Sequence, residues 1–389
     1  MKSIPYGRQS ISPEDIQAVV KVLQSDWLTT GPSVEAFETA VAEYCGACYA
    51  VAVNSATSAL HSACMALGLQ KGDVLWTTPN TFVASANCAL YCGADVDFVD
   101  IDPQTYNMSI TALRQKLEAE KENGRLPKVL VPVHFSGQPC DMRGIAVLAK
   151  EYGFAVIEDA SHAIGATYEA SRIGNCQYSD MTVFSFHPVK IITTAEGGMV
   201  TTQNQQLAER LHLYRSHGIT RDPANMQGDS HGDWYYQQID LGYNYRITDL
   251  QCALGTSQMK RIDTFLTRRR EIAAIYDREL QGLPVLLPKQ QKNVQSAWHL
   301  YVIQIDESKA GKTRKEVFDF LRSKGIGVNV HYIPVHTQPY YQQKFGFQNG
   351  DFPVAEAYYR QAISLPMYAE LSQEQQKQVI HVLIEALTK

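Results

Sequence analysis

Three stretches of the chain hold polar residues where an apolar, strand-like run ends. In "TVFSFHPVKIITTAEGGMVTT", Lys190 follows aromatic and β-branched residues and precedes Ile191 and Ile192. An amine in apolar surroundings has a lowered pKa and becomes a nucleophile, whose adducts with carbonyls are Schiff bases. In "FAVIEDASHAIGA", Asp159 closes a run that begins with four apolar residues. A carboxylate there is costly unless it meets a cation or strong donors. His162 lies three residues on, at a spacing that can place it on the same side. In "AVAVNSATSAL", a strand ends at Val53 and small or polar residues fill positions 54–58 before a helix begins. Free N–H groups and the positive end of a helix dipole suit a phosphate, and Thr57 and Ser58 add hydroxyls.

Taken singly, each stretch has a plainer reading: a snorkelling lysine, a capping aspartate beside a core histidine, a helix start without a ligand. Together they supply what pyridoxal 5'-phosphate requires: a Schiff-base lysine, a carboxylate to keep the ring nitrogen protonated, and a phosphate-sized cup. Phe82, in "TTPNTFVASAN", is an aromatic residue after another strand and is suited to cover the ring.

Elements must bring these residues to one place. From residue 50 onward, apolar runs alternate with amphipathic segments: "YAVAV", "DVLWTT", "DVDFVDI", "KVLVPVHF", "FAVIEDA", "MTVFSF" and "GMVTT" read as strands between helices. This pattern predicts an α/β fold with a mainly parallel sheet covered on both faces. Ligands bind such sheets beyond the carboxyl ends of their strands. Residues 250–280 read as one or two charged helices. Beyond them, "AWHLYVIQI" and "GIGVNVHYIPV" read as strands around the helix "KTRKEVFDFLRSKG", and an amphipathic helix ends the chain. A large domain over 14–250 and a smaller α+β domain over 251–389, joined by the N-terminal 1–13, are expected.

The 389 residues carry a net charge of -5 and are 45% hydrophobic. That composition argues against nucleic acid or an anionic membrane as a partner. No stretch is apolar enough to span a bilayer, and "MKSIPYGRQSISPEDIQ" lacks the apolar core of a signal peptide, so a cytoplasmic location is expected. "CGAC" at Cys45 and Cys48 has no second pair at zinc-site spacing, so no metal is expected. A nucleotide-dependent oxidoreductase would need a Gly-rich fingerprint after its first strand, and "VNSATS" is not one.

Five ordered motifs, "NSATSAL", "TPNTFVASANCALYCGADVDFVDID", "VIEDASHAIGA", "FSFHPVKIITTAEGGMV" and "GYNYRITDLQCALG", resemble the DegT/DnrJ/EryC1/StrS family of nucleotide-sugar aminotransferases. The match runs from near residue 5 to past residue 340. The resemblance implies a fold-type-I, aspartate-aminotransferase-like architecture and a homodimer with active sites shared between subunits. By motif, Lys190 resembles the lysine that holds the cofactor and shuttles the proton, and Asp159 the partner of the pyridinium nitrogen. His162 resembles the residue beside the phenolic oxygen, and Phe82 the stacking aromatic. Thr57, Ser58 and Ser185 resemble phosphate ligands, and Asn244 the asparagine that reaches the neighbouring subunit's phosphate. Ala195 departs from the family, which has glycine in that turn.

Within the family, "SFHPVK", "RSHGITRD" and "VHYIPVHTQPYYQ" resemble the subgroup of pseudaminic acid biosynthesis. That implies L-glutamate as donor and a UDP-linked 2-acetamido-2,6-dideoxy-4-hexulose as acceptor. Enzymes forming UDP-4-amino-4-deoxy-L-arabinose or a dTDP-4-amino-4,6-dideoxyhexose are the alternatives. A dehydratase of this family has histidine in place of the lysine, and a non-catalytic regulatory homologue has lost the chemistry; Lys190 and Asp159 argue against both. The segment from His331 to Tyr340 and the cluster Trp234, Tyr235 and Tyr236 are candidates for holding a uracil or a sugar.

Overall fold

The computed structural model describes residues 3–388. Seven strands form the large sheet: β1 (Tyr49–Val53), β2 (Val74–Thr77), β3 (Asp95–Phe98), β4 (Val129–Val131), β5 (Ala155–Asp159), β6 (Met181–Ser185) and β7 (Gly198–Thr202). Their spatial order is β1-β7-β6-β5-β4-β2-β3. All neighbours run parallel except β7, which is antiparallel to both β1 and β6. These are the strands expected from the apolar runs. Alternate residues serve opposite faces, as the pleat requires. Val51, Val53 and Val183 join one core, while Ala50, Ala52 and Phe184 join the other.

Helices cover both faces. They include α1 (Pro13–Leu23), α2 (Pro32–Cys45), α3 (Ala56–Ala66), α4 (Ala84–Tyr91), α5 (Ile110–Asn123), α6 (Met142–Tyr152) and α7 (Gln205–Arg215). The charged stretch after residue 248 forms two helices, α8 (Asp249–Met259) and α9 (Ile262–Glu279). Thr248 starts α8 with a capping box to Gln251.

Beyond α9, a three-stranded antiparallel sheet of β8 (Val285–Leu286), β9 (Tyr301–Ile305) and β10 (Ala362–Leu365) packs with α10 (Arg314–Ser323) and α11 (Gln373–Thr388). Its core includes Ile303, Val317, Ile363, Val379 and Leu383. Ile4 bridges Ile326, which ties the chain start to this region.

One expected strand is not there. "GIGVNVHYIPV" makes only isolated bridges at Ile326 and Asn329, and Ala362–Leu365 takes the third place in the sheet. Pro334 cannot donate to a ladder, and the chain turns from Val330 toward the end of the large sheet, where it lines a cavity.

Among the described residues, no helix is long and apolar enough to cross a membrane. Among them, too, no group of three or more His, Cys, Asp or Glu is placed to hold a metal ion. Cys45 and Cys48 are free thiols.

Candidate active site

A cavity of about 530 Å³ lies beyond the carboxyl ends of the parallel strands and is closed on its far side by the smaller sheet's region. Lys190, Asp159, His162, Thr57, Phe82 and Ser185 all line it. They come from the ends of four strands: Thr57 after β1, Phe82 after β2, Asp159 and His162 at and after the end of β5, and Ser185 and Lys190 at and after the end of β6.

Lys190 is held by the loop between β6 and β7. Phe186 and Gly197 pair across its neck, with Phe186 N donating to Gly197 O at 2.9 Å. The Thr193 hydroxyl also donates to Phe186 O at 2.9 Å. Lys190 N donates to His187 O, a turn that Pro188 supports. Burial lowers the Lys190 ammonium to about 8, against the opposing pull of Asp159. A useful fraction of this amine is therefore neutral near pH 7.

Asp159 ends β5 and is 5% exposed. Its Oδ1 accepts from Ser161 N at 3.0 Å, and its Oδ2 accepts from the Ser85 hydroxyl at 2.6 Å. Ser85 in turn lies 2.8 Å from the Thr81 hydroxyl. Its neighbour Glu158 points to the opposite face of the sheet, where it meets His134 at 2.7 Å. The two adjacent acids thus have separate surroundings, as strand alternation dictates.

His162 is buried, with Nε2 placed 3.2 Å from the Tyr332 hydroxyl. Burial, then the Lys190 charge, then His331 hold its pKa well below the ordinary value, so the ring is neutral. The His299 ring lies tilted against it, 4.3 Å between centroids, and is held neutral by the same kind of burial. His331 is lowered to about 3, by burial and then by Lys190. The small-unit wall therefore offers neutral imidazoles and a phenol.

The helix start is more selective than expected. Ser55 caps α3, accepting from Ser58 N at 3.1 Å. Ser58 itself is 6% exposed, and its hydroxyl donates to Asn54 Oδ1 at 2.5 Å. It does not line the cavity; Ser55, Ala56 and Thr57 do. Three residues into the helix, the Ser58 side chain points back over the cap rather than out toward a ligand. Gly198 lies against this cup: a Cβ there would stand 2.7 Å from Ala56 N, so only glycine lets β7 approach.

Phe82 lines the cavity while 59% exposed, its ring 6.3 Å from that of Tyr332. Asn244 is exposed and lies outside this cavity. Its backbone bridges Ser216 and accepts from Asn54 Nδ2 at 3.3 Å. Ala195 has φ 66°, the left-handed region that favours glycine. Of the aromatic candidates, His331 and Tyr332 reach the cavity, whereas Tyr340 is exposed and Trp234, Tyr235 and Tyr236 do not line it. Sequence reasoning passed over Ser55, Ser85, His299 and Tyr6, all on the cavity wall. A histidine inside the apolar run "AWHLYV" was the one signal for His299.

These residues fit pyridoxal phosphate. The lowered lysine, the doubly hydrogen-bonded carboxylate and the glycine-backed helix start face one volume, and no other donor set is needed for an aldehyde, a ring nitrogen and a phosphate.

The profile of the DegT/DnrJ/EryC1/StrS aminotransferase family matches residues 9–384. The spore coat polysaccharide biosynthesis protein SpsC of Bacillus subtilis is 42% identical over 382 residues, 98% of this chain and 96% of that protein. A UDP-4-amino-4,6-dideoxy-N-acetyl-beta-L-altrosamine transaminase of Campylobacter jejuni is 39% identical over 391 residues, 99% of this chain and 98% of that one. The structure of Helicobacter pylori PseC, an aminotransferase of pseudaminic acid biosynthesis, superposes with a TM-score of 0.90 at 32% identity, covering 99% of both chains.

Proposed function

The chain belongs to the DegT/DnrJ/EryC1/StrS aminotransferase family, and from that premise we propose that it moves an amino group from L-glutamate to C4 of a UDP-linked 4-keto-6-deoxy hexose. The acceptor in this reading is UDP-2-acetamido-2,6-dideoxy-β-L-arabino-4-hexulose, an intermediate of pseudaminic acid formation. The observation that carries the chemistry is the convergence of Lys190, Asp159 and the start of α3 on one cavity. The names of the Campylobacter and Helicobacter relatives support the sugar. The similarity to SpsC makes another nucleotide 4-keto sugar the second reading.

When bound, pyridoxal phosphate supplies a carbonyl that condenses with amines and a ring that takes up the electron pair left at the donor's α-carbon. Lys190 Nζ, lowered to about 8 by burial, is the nucleophile that holds this group and the base that removes the donor's α-proton. The same amine hands a proton back on the sugar's C4 in the second half of the cycle. Asp159 would meet the ring nitrogen with a carboxylate that two donors already engage. His162, neutral and fixed by Tyr332, offers a hydrogen bond without adding positive charge beside the lysine. The hydroxyls of Thr57 and Ser185 and the first amides of α3 would hold the phosphate. Asn244, exposed on its own subunit, is assigned to the partner's phosphate in a homodimer with shared sites.

Assay of the loaded protein against a panel of UDP- and dTDP-linked 4-keto sugars, with L-glutamate as donor, tests the substrate. The expected result is turnover of the UDP-linked 2-acetamido sugar well above the rest. Preference for a dTDP-linked sugar or for a 4-keto pentose overturns that assignment and leaves the transaminase chemistry standing.

A further inference from the structure

Thr81 and Ser85 lie four residues apart, the first three residues before α4 and the second in its first turn. Both are buried: Thr81 is 2% exposed and Ser85 fully enclosed. Short hydroxyl side chains at a helix start ordinarily cap it. Neither does so here, because Val83 stands at the cap in helical conformation without a side-chain bond. Instead the Ser85 hydroxyl donates to Asp159 Oδ2 at 2.6 Å, across 74 residues of chain, and Thr81 Oγ1 lies 2.8 Å from Ser85 Oγ.

The direction of this chain of bonds is fixed by chemistry. An ionised carboxylate only accepts, so the single Ser85 proton points to Asp159. Ser85 can then only accept from Thr81, whose proton points along the same line. We propose that Thr81 and Ser85 form a positioning relay that fixes Asp159 as an oriented carboxylate toward the ring nitrogen of the bound cofactor. This rests on the reading of the cavity as a pyridoxal phosphate site. Hydrogen bonds to the charged form stabilise it, and aligned bonds polarise one another in a buried site. With Oδ1 engaged by Ser161 N and Oδ2 by Ser85, each oxygen keeps a lone pair for an incoming N–H.

Phe82 sits between the two relay residues in sequence and lines the same cavity. One turn of chain therefore aims at both the face of the ring and, through Asp159, its nitrogen. A cofactor whose ring stays protonated holds the neighbouring imine at low proton affinity, because two positive charges share one conjugated system. Loosening Asp159 lets the proton leave the ring, and the imine's transition then moves up in pH.

The test uses the pyridoxal-phosphate-loaded protein and the variants Ser85→Ala, Ser85→Thr and Thr81→Val. Three readouts are compared: the pH midpoint of the visible absorbance change, the single-turnover rate of bleaching by L-glutamate, and the thermal midpoint. For Ser85→Ala the absorbance midpoint shifts to higher pH and bleaching slows by about tenfold or more, as loss of a hydrogen bond to a charged group implies. Thr81→Val gives the same changes at about threefold, because it acts through Ser85. Ser85→Thr keeps the hydroxyl and restores both readouts. If Ser85→Ala lowers the thermal midpoint while absorbance midpoint and bleaching stay as in the wild type, the hydroxyls only satisfy a buried acid and the proposal is overturned. If the wild type neither takes up the cofactor nor bleaches with glutamate, the underlying reading of the site fails instead.

Discussion

The two walls of the cavity were built by different rules. The large-sheet wall places Lys190, Asp159 and Thr57 at junctions where a buried strand ends and the chain must turn. The small-unit wall places His299, His331 and Tyr332 by long-range packing of segments far along the chain. One wall carries the charges, with an amine lowered to about 8 opposite a carboxylate. The other is neutral, with His299 and His331 stripped of charge by burial and by Lys190. On the proposed function, the charged wall carries the transfer chemistry and the neutral wall is left to recognise the acceptor.

Substitutions on the charged wall should therefore remove turnover, and those on the neutral wall should adjust it. Asp159→Asn keeps the shape and removes the charge; turnover with L-glutamate should fall by about two orders of magnitude, as for breaking a buried ionic contact. A loss below about tenfold would put the charge on the wrong wall.

Asn244 belongs to neither wall of its own subunit. Asn244→Ala should weaken cofactor retention by about tenfold, as loss of a bond to a phosphate implies. Mixed with inactive Lys190→Ala subunits, it should yield dimers with one intact site and recovered activity. Equilibrium dialysis and mixing assays check both parts; no recovery on mixing means that the sites are not shared.

Tyr332→Phe removes the hydroxyl 3.2 Å from His162 while keeping the ring. Turnover should fall by only about fivefold, with the cofactor's absorbance unchanged. A loss as large as that of Asp159→Asn would erase the distinction between the walls.

The smallest effect concerns the frame around Lys190. Ala195 occupies φ 66°, which costs a residue with a Cβ about 1 kcal/mol. Ala195→Gly should raise the unfolding free energy by about that amount in urea titration, with activity unchanged.

The contrast also explains what could be read from the sequence. The strands of the large sheet were legible because continuous apolar runs have few alternatives, and the polar residues that follow them fall at the sheet's binding end. Lys190, Asp159 and His162, which line the cavity, stand out in that way. Ser58 was less legible, since a cluster of small polar residues does not reveal which hydroxyl caps the helix and which faces outward. Ser85 was missed because "VASAN" reads as plain helix, and its partner lies 74 residues away. The stretch "GIGVNVHYIPV" has the alternation of a strand, yet its tertiary setting turns it into a cavity-lining segment. His299 is one residue of an apolar run, and periodicity alone cannot distinguish a core histidine from one facing a ligand.

Capture of the cofactor by Lys190 is the step on which the proposed function depends. Its direct test is borohydride reduction of the pyridoxal-phosphate-loaded protein followed by peptide mass mapping, with the capture rate measured against pH. A single modified site, Lys190, is expected, with a capture rate that rises with pH, reaches half its maximum near pH 8 and levels off about one to two units above, as the amine becomes neutral. Label on another lysine, or a rate still climbing toward the ordinary lysine value of about 10.4, would contradict it.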